Sequence, residues 1–134
     1  MTHDEFIGAV QSRAQLASRG DAERAVRATL ETFADRLEAD SADNLASELP
    51  SELARHLRQS QGFERLTLDE FFARVHERET PSVDLPKAAY HARVVTEVLS
   101  EAVSAGQMDK LRKQLPEEFA PLFDSGSKGP MTRH

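Results

Sequence analysis

The chain contains the same stretch twice. Thr2-His3-Asp4-Glu5-Phe6 returns as Thr67-Leu68-Asp69-Glu70-Phe71, and Leu49-Pro50-Ser51-Glu52-Leu53 returns as Leu115-Pro116-Glu117-Glu118-Phe119. Residues 2–13 align with 67–78 at an offset of 65, with six of twelve positions identical. Residues 22–57 align with 88–123 at an offset of 66, with ten of thirty-six identical. The extra residue of the second copy falls between Glu79 and Asp84, where a loop can absorb it without rotating a helix's apolar face. Two copies are too few for a solenoid, which needs at least three stacked units. A lone half would also be near the size at which a core is marginal. The repeat therefore predicts two tandem helical units, residues 1–58 and 67–123, related by a pseudo-twofold axis and sharing one core. Residues 59–66 form the connector, with Phe63 and Leu66 expected to dock on the core. Residues 124–134 are expected to be a disordered tail.

The periodicity is helical throughout. Thr2-x-x-Glu5 and Thr67-x-x-Glu70 are capping boxes, in which a hydroxyl and a carboxylate satisfy two backbone donors that a helix start would leave unpaired. Apolar stripes follow at Phe6, Ile7, Val10 and Ala14, and at Phe71, Phe72 and Val75. The longest predicted helix carries Ala22, Ala25, Val26, Thr29, Leu30, Phe33 and Leu37; its counterpart carries Ala88, Ala92, Val95, Leu99 and Val103. Asp84 and Pro86 suit the start of that counterpart, and Gly106 its end. A short third helix holds Leu45 and Leu49, matched by Met108, Leu111 and Leu115. Leu-Pro then breaks the chain, and a fourth helix offers Leu53 and Leu57, or Phe119, Leu122 and Phe123. No segment alternates with period two, so the fold class is all-α, with about four helices per repeat.

Charge and composition narrow the function classes. The net charge is −6 and is spread evenly, with 12 acidic and 8 basic residues in 1–67 and 11 and 9 in 68–134. This is no footprint for nucleic acid, and the small basic patch of Lys110, Arg112 and Lys113 reads as a solvated face. Thirteen arginines against four lysines fit either a GC-rich genome or salt adaptation. The absence of cysteine excludes disulfides, thiolate metal sites and a cysteine nucleophile. No apolar run reaches membrane-spanning length and no signal peptide precedes the first helix, so a cytoplasmic protein without a membrane partner is expected.

Motifs that carry chemistry are sparse. The residues three before His56, His76 and His91 are Leu53, Ala73 and Ala88, so the Glu-x-x-His pairs of di-iron bundles are missing. His76 and Glu79 share a helix face, but two ligands do not make a metal site. There is no Gly-x-Ser-x-Gly and no phosphate loop. No metal, cofactor or catalytic residue is assigned, and the histidines are expected at the surface or its boundary. The pairs Arg27/Glu31 and Arg93/Glu97 recur in both copies at i, i+4. They read as exposed helix pairs, as a partly buried ion pair joining the halves, or as an anion site; a structural role is preferred. Asp43/Asp109 also recurs, and capping or solvation near the third helix accounts for it.

The Asp-Glu-Phe opening, the helix Ala22 to Glu31, the Leu49-Pro50-x-Glu52-Leu53 segment and their echoes together resemble the prokaryotic family known as domain of unknown function 2267, over about residues 2 to 124. The resemblance implies a small, duplicated, all-α protein and carries no catalytic residues. The expected function is a non-enzymatic interaction or oligomerisation module with a protein partner or a second copy of itself. The alternatives are a small-molecule or lipid carrier with an apolar pocket lined by Phe33, Leu37, Leu99 and Val103, and an enzyme with a polar site near the pseudo-twofold axis.

Overall fold

Eight helices and no strand make up the described residues of the computed structural model, which are 1–58 and 62–128. Helices α1 (His3–Arg13) and α5 (Leu68–Arg78) each have 11 residues. Both begin in a closed capping box. Thr2 Oγ1 accepts the Glu5 N–H at 3.1 Å and the Glu5 carboxylate accepts the Thr2 N–H at 2.8 Å; Thr67 and Glu70 repeat these distances. Helices α2 (Arg19–Arg36) and α6 (Leu85–Ala102) each have 18 residues and start at side-chain caps, Ser18 and Asp84. Shorter helices follow: α3 (Ala39–Ala46) and α4 (Ser51–Leu57) after α2, α7 (Ala105–Lys113) and α8 (Ala120–Asp124) after α6. Pro50 and Pro116 stand at the breaks before α4 and before the 3₁₀ turn Glu117–Phe119 that leads into α8.

The apolar stripes meet in one cluster that draws on residues from Phe6 to Leu122. Helices α1, α2, α5 and α6 form its frame: α1 packs on α2 and α6, and α5 packs on α6 and α2. Phe71 sits where they converge. Its ring meets Phe33 edge-on at 4.9 Å between centroids, Phe119 at 6.0 Å and Phe72 at 6.3 Å. Three threonines are buried in α2 and α6, and Thr29 Oγ1 has no hydrogen-bond partner among the described residues. Thr32 and Thr96 donate to the carbonyls of Ala28 and Ala92, each at 2.7 Å, so neither hydroxyl is left unsatisfied. Among the described residues no helix is long and apolar enough to cross a membrane.

Four sequence expectations change. Gly106 does not end α6, which stops at Ala102; it lies inside α7, whose cap is Ser104. Phe63 does not dock on the core. It stays 40% exposed with its ring flanked by the guanidinium carbons of Arg36 at 5.6 Å and Arg65 at 5.3 Å. Leu66 does bury, and its carbonyl accepts from Arg36 Nε at 2.8 Å. Residues 124–128 are not a disordered tail, because Asp124 ends α8 and Gly126–Lys128 form a 3₁₀ turn packed on α6. The rest of that expected tail, 129–134, lies outside the described residues, as do positions 59–61 of the connector. Phe33, Leu37, Leu99 and Val103, expected to line an apolar pocket, are instead buried in the core cluster.

Candidate functional site

A cavity of about 330 Å³ opens between the loop that follows α1 and the loop that follows α5. Ala14 to Ala17 form one wall and Glu79 to Val83 another, with Asp21 and Arg24 from α2 and Lys87, Tyr90 and His91 from α6. Local sequence explains the first wall. Helix α1 ends in a left-handed residue, Gln15 at φ 55, with the Gln15 N–H donating to Ser12 O and the Leu16 N–H to Gln11 O. That is the double hydrogen bond of a Schellman end, which glycine normally supplies at no steric cost. It turns the chain sharply enough for residues 14–17 to face the cavity.

The deepest polar feature is a pair. Both oxygens of Glu79 lie within hydrogen-bond distance of His91 Nδ1, at 3.0 and 3.1 Å. The two side chains are 2% and 6% exposed. A carboxylate only accepts, so Nδ1 carries the proton and donates. That fixes the ring's orientation and, in the neutral ring, leaves Nε2 as the nitrogen free of the carboxylate. Glu79 is the residue at which α5 ends, so the helix terminus and α6 together set the geometry. The boundary position expected for His91 is therefore replaced by a buried one, and Glu79 partners His91 and not its helix neighbour His76. The sequence holds one signal of this: His91 falls on the stripe of Ala88, Ala92 and Val95, a polar residue at an apolar position.

Several other polar groups on the lining are already engaged. Tyr90 Oη lies 3.1 Å from the carbonyl oxygens of both Arg13 and Ser127, to which it donates its single proton. Thr80 and Ser82 hydroxyls bond each other at 2.9 Å, and Arg24 is ion-paired with Asp21. No group of three His, Asp or Glu side chains is placed to hold a metal ion among the described residues.

The recurring pairs of α2 and α6 have contacts beyond their own helix. Their acids reach across the molecule. Glu97 accepts from Arg13 at 3.0 Å and from the Ser127 N–H and hydroxyl at 3.1 and 2.9 Å. Arg13 also holds Glu101 through two bonds of 2.7 and 2.6 Å. In mirror fashion Arg78 reaches Glu31 at 3.7 Å and Asp35 at 2.7 Å, and donates to Thr32 at 2.9 Å. Arg13 at the end of α1 thus grips two acids of α6, and Arg78 at the end of α5 grips two acids of α2. Burial pushes the Glu97 carboxyl up, but Ser127 and Arg13 outweigh it and leave it below the usual range. The Arg13 hydrogen bonds lower Glu101 as well. The arginines of the pairs part company: Arg93 is buried and donates to Gly126 O at 2.8 Å, whereas Arg27 is exposed. Asp43 pairs with Arg58 and Asp109 with Lys113, so both do more than solvate a helix. Arg112 of the basic patch is paired too, with Asp124 at 2.9 Å.

Among curated proteins none matches the chain. A family model matches residues 3–122, nearly the whole of the folded part. With its eight helices and matching span, the chain belongs to the family described as uncharacterized conserved protein (DUF2267).

Proposed function

We propose that the chain is two copies of one four-helix module about an approximate twofold axis, and that it binds a small polar molecule where the copies meet. The reciprocal grips of Arg13 on Glu97 and Glu101, and of Arg78 on Glu31 and Asp35, support the axis. The binding proposal rests on one observation: a buried Glu79–His91 pair bordering a cavity formed by the equivalent loops of both copies. The cavity is at the lower end of the range of small-molecule sites, about 300–1,000 Å³. A histidine held by a buried carboxylate offers a bound molecule one oriented nitrogen that can accept or return a proton. The hydroxyls of the lining are bonded to one another or to backbone carbonyls, which favours binding over covalent catalysis. Self-association has less behind it. The exposed large apolar side chains among the described residues are Met1, Phe63 and Leu85, single residues from three separate segments.

The test is a screen of small polar fragments against the intact protein, read by the ¹H–¹³C signals of the histidine rings. Binding is expected to shift His91 and to vanish in Val83→Trp, which fills the cavity mouth while leaving the melting curve cooperative. If no fragment at millimolar concentration moves His91, or if Val83→Trp leaves the shifts intact, the cavity is not a binding site.

A further inference from the structure

The two copies treat one cleft in opposite ways. In the second copy the turn Gly126–Lys128 lies over α6: Arg93 donates to Gly126 O at 2.8 Å and Tyr90 Oη approaches Ser127 O at 3.1 Å. Sixty-six positions earlier, Arg27 stands for Arg93, Arg24 for Tyr90, Arg55 for Pro121 and His56 for Leu122. There, among the described residues, the cleft between α1, α2 and α4 is open, with a volume of about 300 Å³. Arg27 and Arg55 are exposed, and among the described residues no ion pair or hydrogen bond holds either guanidinium.

Taking the copies as equivalent, as proposed above, we propose that this open cleft is an anion site that takes a phosphate group of a small molecule, held by Arg27 and Arg55 with Arg24 beside them. The second copy shows the chemistry an occupant must offer: oxygen acceptors presented to the arginine of the long helix. The first copy adds cations around that arginine. His3, Arg24, Arg27, Arg55 and His56 line the cleft against two acids, Glu23 and Glu52. Glu23 is within 3.8 Å of Arg19, and Arg24 is paired with Asp21, so the uncommitted charges are Arg27 and Arg55 against Glu52. His56 reports the local field. Its Nδ1 is sealed from solvent without a hydrogen-bond partner, with a Glu31 oxygen at 3.9 Å. Burial first, then Arg55, Arg27 and His3, push its pKa down to about 4. Two planar guanidinia offer forked donors that match the several oxygens of a phosphate better than a single-point anion.

The experiment titrates the intact protein with inorganic phosphate at constant ionic strength set by sodium chloride, following the His56 ring signal. A saturable shift is expected, with the His56 pKa rising as the bound anion offsets the arginines. Arg27→Gln and Arg55→Gln should each weaken binding about tenfold, the loss of one charge-assisted contact, and Glu52→Gln should strengthen it. All three residues are exposed, so these variants should keep the parent melting curve. The His91 signal should not move, which separates this site from the cavity between the loops. A linear response matched by chloride, or saturable binding that survives in the double Arg27→Gln, Arg55→Gln variant, overturns the proposal.

Discussion

Replacing Phe71 with alanine tests whether the four framing helices share one core. Phe71 is fully buried and its ring has edge contacts with Phe33, Phe72 and Phe119, so it ties α5 to α2 and to the turn before α8. Truncating a buried phenylalanine costs about 3–5 kcal/mol. The edge contacts, worth roughly 0.5–1.5 kcal/mol each, place this site near the top of that range. A domain of this length has an unfolding entropy of about 0.28 kcal/mol/K, from roughly 2.1 cal/mol/K per residue. A loss of about 4 kcal/mol therefore lowers the midpoint by around 14 °C. Urea unfolding followed by circular dichroism is the direct assay, since an unchanged slope with a lower midpoint isolates stability. Phe63→Ala is the internal control. Its ring is 40% exposed between two arginines, and losing both contacts costs about 1–2 kcal/mol at most. Equal losses at the two positions would refute the packing argument, because residue type and not burial would then set the cost.

Three further outcomes follow from the polar groups. His91→Leu leaves the buried Glu79 carboxylate without its donor and should cost about 3–5 kcal/mol, whereas Glu79→Gln keeps an acceptor oxygen and should cost less, about 1–3 kcal/mol; chemical denaturation of both variants measures the order. The folded pKa of His56 lies below its unfolded value, so between pH 6.5 and about 4 the unfolded chain takes up a proton that the folded chain refuses. Stability should fall with acid across that window, and His56→Leu should flatten the profile measured by thermal melts. Glu97 and Glu101 are also depressed, so their contribution is fully present above about pH 4.5 and lost as the pH falls through their folded values. Arg13→Gln should remove much of that lower limb, seen as a shallower loss of stability as the pH falls below about 4.5.

What the sequence makes legible is whatever depends on neighbours along one helix. Capping boxes at Thr2 and Thr67 and the stripes of α2 and α6 are local patterns, and each helix of the frame starts where its cap stands. The pairing of Arg13 with Glu97, 84 positions away, depends on how α1 crosses α6, and no spacing rule encodes that. The i, i+4 rule named Glu31 and Glu97 but not the arginines that reach them from another helix, Arg78 and Arg13. Phe63 is misplaced for a related reason: its hydrophobicity argues for burial, while Arg36 and Arg65 offer the ring faces an alternative at the surface. Gly106 follows α6 by only a few residues and looks like its terminator, yet α6 ends in extended backbone at Val103 and Ser104 caps the next helix at once.

Duplication also separates what holds the fold from what can act. Several positions that recur in the sequence do structural work here: the threonine–glutamate boxes start helices, Arg13 ties α1 to α6 through Glu97, and Arg78 ties α5 to α2 through Glu31. Most of the candidate chemistry sits where the copies diverge, with Arg27, kept as Arg93, the exception. His91 replaces the buried Ala25, and only the second copy therefore acquires a partner for Glu79. His56 and Arg55 replace Leu122 and Pro121, and only the first copy therefore has a cationic cleft. A residue that one copy can lose to alanine, leucine or proline is dispensable to the module's packing. At His56 the polar form costs desolvation, as its suppressed protonation shows. A chain that carries such costs at single positions, against the apolar choice its own duplicate makes, points to those positions as the place to look for a ligand.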